Sequence, residues 1–277
     1  MKQSFLGVLC FCIAFSIHAQ SLLTPATGYL AAGTYSAGFA DVFSFTVNQA
    51  SLAKMKNTSV GLFNEKKFLL PGLDNYLVAA GIVTSPGNFG IKMNYAGSGP
   101  YNEMQLGLAH ARKLGKNMEA GVQFNYSNIH IAGYGTSSII GFEIGSLFQV
   151  TRVLHAGIHV ANPAGGKFGK NRREKLPSVY RMGLAYEPSG IVLINAEIVK
   201  EEDQPVNINT GVVYRVIPQL LISAGIMTMT SSPWISFGFL WKAYRMGLSA
   251  SYHPQLGFCP GLSLVFDFKS KEKTESN

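Results

Sequence analysis

Cysteine is scarce in this chain. Of three cysteines in 277 residues, Cys10 and Cys12 lie in the first apolar run and only Cys259 lies beyond it. The body of the chain can therefore close no internal disulfide. Charge is scarce too, at 14% of residues against 47% hydrophobic and 30 glycines, where a soluble domain carries about 25% charged residues. Beyond residue 20 there is no apolar run of about 18 residues, the length that marks a membrane-crossing helix. Aspartate occurs only at Asp41, Asp74, Asp203 and Asp267, none of them in a catalytic string. A barrel enzyme needs a nucleophile beside an oriented histidine, so the chain reads as non-enzymatic. Gly165, Gly166 and Gly169 beside Lys170 follow no strand-to-helix pattern, which removes the phosphate-loop reading. No cofactor motif is present.

What is present is alternation. In residues 118–127, Ala120, Val122, Phe124 and Tyr126 share one face, and Gly121, Gln123, Asn125 and Ser127 share the other. Period two marks a strand with one apolar and one polar face. The pattern returns down the chain and predicts fourteen strands: 58–68, 75–84, 88–97, 102–114, 118–131, 137–149, 153–162, 178–187, 191–200, 207–216, 220–229, 234–241, 244–252 and 257–268. The connections between them alternate short and long without exception. Short turns on one side and longer loops on the other are how outer-membrane barrels are built. A sandwich would scatter its loop lengths, and a propeller would repeat every four strands. The fold class expected is all-β, a transmembrane antiparallel barrel of 58–268 in the bacterial outer membrane. An even strand count puts both barrel ends on the short-turn side.

A lysine or arginine facing hydrocarbon at mid-depth costs about 2–4 kcal/mol. The faces carrying Lys92, Arg181, Arg215 and Arg245 must therefore point inward, where Glu143, Glu197 and water accept them. Gln123, Asn125, His155 and His159 share that lumen face. His155 and His159, four residues apart, can be imagined with His110 and Glu143 as metal ligands, but no ligand spacing supports this, and no metal is assigned. Tyr95, Tyr126, Tyr186, Tyr214, Trp241, Tyr244 and Tyr252 fall near strand ends. They fit interfacial girdles, and ordinary β-propensity fills strands with the same residues.

The ends of the chain differ from its middle. Residues 1–20 read as a secretory signal: Lys2, an apolar run over 5–17, and Ala19 at a cut just before or after Gln20. Residues 21–57 are small and Gly/Ala-rich and do not alternate. Asn48 can cap a short helix over 49–55. This segment is either a plug inside the barrel or an N-terminal strand and turn. Residues 269–277 form a polar tail. The loop carrying Lys167, Lys170, Arg172, Arg173 and Lys175 reads as a solvated outer loop. If it binds anything, lipopolysaccharide phosphates are its natural counter-ions. Nucleic acid does not fit an exported barrel.

The N-terminal segment resembles a known family. Small residues lead to Asp41 and then to Asn48-Gln49-Ala50-Ser51-Leu52-Ala53 before the first strand. This is similar to the start of FadL-type outer-membrane transporters and of the PorV/PorQ-type barrels of Bacteroidota, where an Asn-Pro-Ala-x-Leu-Ala element precedes strand one. Gln49 stands where proline is usual. The likeness covers about the first fifth of the chain beyond residue 20. The last strand, ending in Phe268, resembles the aromatic-ended C-terminus of bacterial barrels, here followed by the tail. The resemblance implies a plugged fourteen-stranded barrel with one of two roles. The first is a PorV/PorQ-like accessory that meets secretion or assembly proteins of the type IX route. The alternative is a FadL-like passive transporter of small or hydrophobic molecules. The outer loops lack long apolar insertions, which favours the accessory role. Outer-membrane lipid surrounds the barrel in either case.

Overall fold

The computed structural model describes residues 28–163, 165, 167–168 and 174–268. The expected signal at 1–20, the start of the 21–57 segment and the tail at 269–277 lie outside the described residues.

Fourteen antiparallel strands close into one barrel. The first seven are β1 Thr58–Lys66, β2 Asp74–Ile82, β3 Asn88–Ser98, β4 Tyr101–Lys113, β5 Met118–Ile131, β6 Gly135–Gln149 and β7 Leu154–Ala161. A two-stranded hairpin, β8 Lys167–Phe168 with β9 Glu174–Lys175, stands apart from the wall. The wall resumes with β10 Val179–Ser189, β11 Val192–Glu201, β12 Asn207–Ile217 and β13 Leu220–Met227. It ends with β14 Ser232–Trp241, β15 Tyr244–His253 and β16 Gly257–Phe268. Closure is made by β1, where Ser59 faces Gly81 of β2 on one side and Asp267 of β16 on the other. Closure leaves no strand edge, as hydrocarbon requires, because a backbone group unpaired there costs several kcal/mol.

The two faces of the wall invert the usual rule of burial. Leu108, Phe124, Leu248 and Leu262 are more than half exposed on the outside, while Lys92, Glu143, Arg181 and Glu197 are buried inside. Water would not tolerate such an apolar exterior, and lipid would. Aromatic residues mark its two rims. Tyr76, Tyr95, Tyr126, Tyr180 and Tyr252 lie toward the loop end of their strands, and Tyr186, Tyr214, Trp241, Tyr244 and Phe268 toward the turn end. Above Tyr126 the outer face of the β5–β6 hairpin turns polar. There Asn128 Nδ2 donates to Ser138 Oγ at 2.9 Å, and His130 Nδ1 lies 3.0 Å from Thr136 Oγ1. The apolar band ends at that height.

Three details differ from the sequence reading. Loop lengths do not alternate strictly: β3 and β4 join through residues 99–100 alone, on the long-loop side, whereas 83–87 separate β2 from β3 on the short-turn side. β4, β5 and β6 run taller than the rest; β5 keeps its expected bounds, while β4 takes in Tyr101 and β6 takes in Gly135 and Thr136 from what read as loop. The expected helix over 49–55 is a 3-10 helix, Gln49–Lys54, since the confined chain is tighter than an α-helix there.

Candidate functional site

Residues 28–57 run down inside the barrel. Tyr29 near the top donates through its hydroxyl to Glu65, close to the upper end of β1, at 3.1 Å. The segment then descends to Asn57, where β1 begins. Two short 3-10 turns shape it. Asp41 caps Val42–Thr46 by accepting from Phe43 N at 2.9 Å, and Ser44 Oγ accepts from Asp41 N at 3.0 Å. Asn48 caps Gln49–Lys54 by accepting from Ala50 N at 3.1 Å. Such reciprocal caps satisfy amides that a short turn leaves orphaned.

The plug is bound to the wall by polar groups from both partners. Asn48 Nδ2 donates to Ile158 O at 3.0 Å. Asn88 of β3 donates to Leu52 O at 2.6 Å and Met55 O at 3.2 Å. Ala50 and Leu52 are fully buried, and Ala53 packs against the cluster that holds Leu52. Wall glycines make the approach possible. A Cβ on Gly145 would sit 2.2 Å from Asn48 Oδ1, and one on Gly183 would sit 2.1 Å from the Tyr35 ring.

Two residues toward the loop end from Gly145 lies a buried network around Glu143. The carboxylate accepts from Asn125 Nδ2 at 2.5 Å, His159 Nε2 at 2.9 Å and Gln123 Nε2 at 3.3 Å. Gln49 Nε2 of the plug donates to it as well, and Lys92 Nζ stands 3.7 Å away. A second centre is Glu197, which accepts from Arg181 at 3.1 Å, Asn209 at 3.1 Å and the Tyr35 hydroxyl at 2.5 Å. In each case a plug side chain completes a wall cluster. Breaking a buried pair by removing one partner costs about 3–5 kcal/mol, because the other charge stays behind.

The remaining inward residues are more scattered. His155 is buried four positions before His159 on β7. Among the described residues no group of three or more His, Cys, Asp or Glu is arranged to hold a metal ion. His110 sits on the outer face of β4 with its ring 4.6 Å from that of Phe89, away from His155 and His159. Arg215 lies over the Phe39 ring at 4.9 Å, and Arg245 donates to Asp41 at 3.2 Å. The plug–wall contacts that sequence reasoning missed are Tyr35, Asn88 and Glu187. Glu187 accepts from Ser36 Oγ at 2.7 Å and from the amides of Ala37 and Gly38 at 3.0 and 3.3 Å. Parity with Arg181 was the one signal for it. Lys54 Nζ donates to Ser36 O at 3.2 Å, and burial holds its amine below the usual lysine range while Glu119 and Glu187 pull it back up. In the basic loop, Lys167 and Lys175 face each other across the β8–β9 hairpin, and Lys170, Arg172 and Arg173 lie outside the described residues.

Space remains on one side of the plug. A chamber of about 100 Å³ separates Tyr29, Leu30, Phe39 and Phe43 from a wall where Leu221 and Val265 stand among Ser223, Ser236, Gly238 and Ser249. A cleft of about 250 Å³ lies at the turn end, lined by Lys54, Lys56, Asn57, Ser59 and Asp267. Asp41 and Arg245 border both.

A closed, plugged barrel with an apolar exterior is the architecture of a transmembrane β-barrel. Among solved structures it is similar to the CymD monoaromatic hydrocarbon channel, at 12% identity and a TM-score of 0.60 over 83% of this chain and 94% of that one. It is similar also to a Pseudomonas aeruginosa FadL homologue, at 10% identity and a TM-score of 0.55 over 86% and 98%. The Pseudomonas putida toluene transporter TodX aligns at 9% identity and a TM-score of 0.56 over 79% and 91%. The shared property is the FadL-type barrel fold. No protein-family model and no curated protein matches the chain.

Proposed function

We propose that this protein is a non-enzymatic barrel of the bacterial outer membrane, delivered by a signal at residues 1–20, that passes small hydrophobic solutes inward. The observation that carries this reading is the plug threaded through a closed fourteen-stranded wall, in a fold similar to that of hydrocarbon channels. The plug motif Asp41, Asn48, Gln49, Ala50, Leu52 and Ala53 serves to seat the plug. The inward polar residues hold it and line the route. A lipopolysaccharide leaflet blocks apolar solutes, so a protein path across it has a use.

The test is uptake of labelled toluene by cells that carry the protein in a lipopolysaccharide-bearing outer membrane, against a vector control. Faster uptake supports transport, and equal uptake removes it. A second reading, a PorV/PorQ-like accessory for secretion or assembly proteins, is favoured by how firmly the plug fills most of the lumen. A gentle-detergent pull-down with mass spectrometry separates the two. Stoichiometric recovery of secretion components would support the accessory role, with lipopolysaccharide phosphates on the basic loop as a lipid partner in both cases.

A further inference from the structure

The plug is seated off-centre. Its Asn48–Leu52 turn packs on β3 to β6, where glycines admit it to contact. On the β13–β16 side Val265 and Trp234 pack on the plug, and the serines and glycines between them, with Leu221, leave the chamber described above. That chamber has a plug face of Tyr29, Leu30 and Phe43 and a wall face in which hydroxyls and bare backbone stand among Leu221 and Val265. It offers several times the room one water needs. The chamber and the lower cleft meet at one pair of side chains, Asp41 and Arg245. This pair is about a quarter exposed on each side, at 26% and 23%, unlike the Arg181–Glu197 pair, at 7% and 3%.

Resting on the transport reading, we infer that solute passes beside the seated plug, along β13–β16, and that the Asp41–Arg245 pair is the constriction. The plug need not leave. A constriction made of a carboxylate and a guanidinium opens at least cost to a solute that brings its own acceptor. Such a solute replaces Asp41 as the partner of Arg245, so no cation is left unpaired at the narrowest point. Below it, Lys54 and Lys56 line the cleft and take over the acceptor end. The solute class that fits is a ring-sized molecule with an apolar face and one carboxylate or hydroxyl. Arg245 and Asp41 are its specificity-determining residues.

Benzoate flux into proteoliposomes containing lipopolysaccharide tests the route. Asn48 Oδ1 occupies the place that a Gly145 side chain would take, so Asn48→Cys with Gly145→Cys, in a Cys259→Ser background, can lock the plug to the wall. The oxidised, tethered protein should carry benzoate within about twofold of its reduced form. Loss of flux on oxidation, restored by reduction, would show that the plug must leave and would overturn the inference. A Cβ on Gly238 meets only Leu221, at 3.5 Å, so a side chain can start there in ordinary contact, and Gly238→Leu extends into the chamber. It should cut benzoate flux at least about fivefold, and unchanged flux counts against the route. Asp41→Asn keeps the turn cap, because asparagine caps as well as aspartate. It should raise flux about fivefold, the ratio that a partly exposed pair sustains; no change removes the pair as constriction. If toluene uptake stands while these variants behave alike, only the route falls. If wild-type protein speeds neither solute, the transport reading falls with it.

Discussion

The two sides of the lumen are built on opposite principles. On the β3–β11 side, plug and wall are locked by buried charge: Glu143 and Glu197 each gather a wall cation, wall amides and one plug side chain. On the β13–β16 side, Trp234 and Val265 pack on the plug, hydroxyls and glycines between them face an open chamber, and a partly exposed ion pair crosses to Asp41. The first side secures the plug by satisfying groups that could not be buried alone. The second holds the plug by apolar contact and leaves part of its flank facing the chamber. A barrel interior can therefore be core on one side and open chamber on the other, because each strand chooses its inward side chains independently.

Paired substitutions break or sharpen this contrast. Glu143→Ala strands Lys92 in a buried site and should cost about 3–5 kcal/mol. The readout is the denaturant midpoint of the heat-modifiable band on a detergent gel. Gly145→Val drives a side chain into Asn48 and should cost about 1–3 kcal/mol by overpacking, seen as easier proteolysis of the plug in intact barrels. Tyr35→Phe removes a hydrogen bond to the Glu197 carboxylate and should cost about 1.5–3 kcal/mol in the same unfolding assay. The matched change on the other side, Ser223→Ala, loses the 2.7 Å contact with Ser236 and should cost about 0.5–1.5 kcal/mol. Ser249→Ala, facing the chamber, should stay within about 0.5 kcal/mol. If the serine changes prove as costly as the Glu143 and Tyr35 changes, the two sides are not different in kind.

Much of the wall was legible because strands speak in period two. The faces of β5, β7, β10 and β15 follow from parity alone, and one buried charge such as Lys92 or Arg181 tells which face is inward. The same parity put Glu187 beside Arg181, yet nothing local marked it as the carboxylate that receives three plug groups. Its partners Ser36, Ala37 and Gly38 lie about 150 residues away, and no periodicity links them. Loop lengths misled for a related reason. Gly99 and Pro100 read as part of a loop, but β3 and β4 pair up to Ser98 and Tyr101 around them, because neighbouring strands set how tall a hairpin grows. The 49–55 helix was near the truth: Asn48 does cap a turn, and confinement made it 3-10.

The sequence by itself determined that this chain makes a strand-built wall with an apolar outside and a charged inside. Alternation and the cost of a charge in lipid are local facts, written residue by residue. Only the tertiary structure decided that residues 28–57 thread the lumen, that Gln49 completes the Glu143 cluster and Tyr35 the Glu197 cluster, and that the plug leans toward β3–β6. Those outcomes depend on which inward glycines end up facing which plug atoms, and barrel closure sets that geometry.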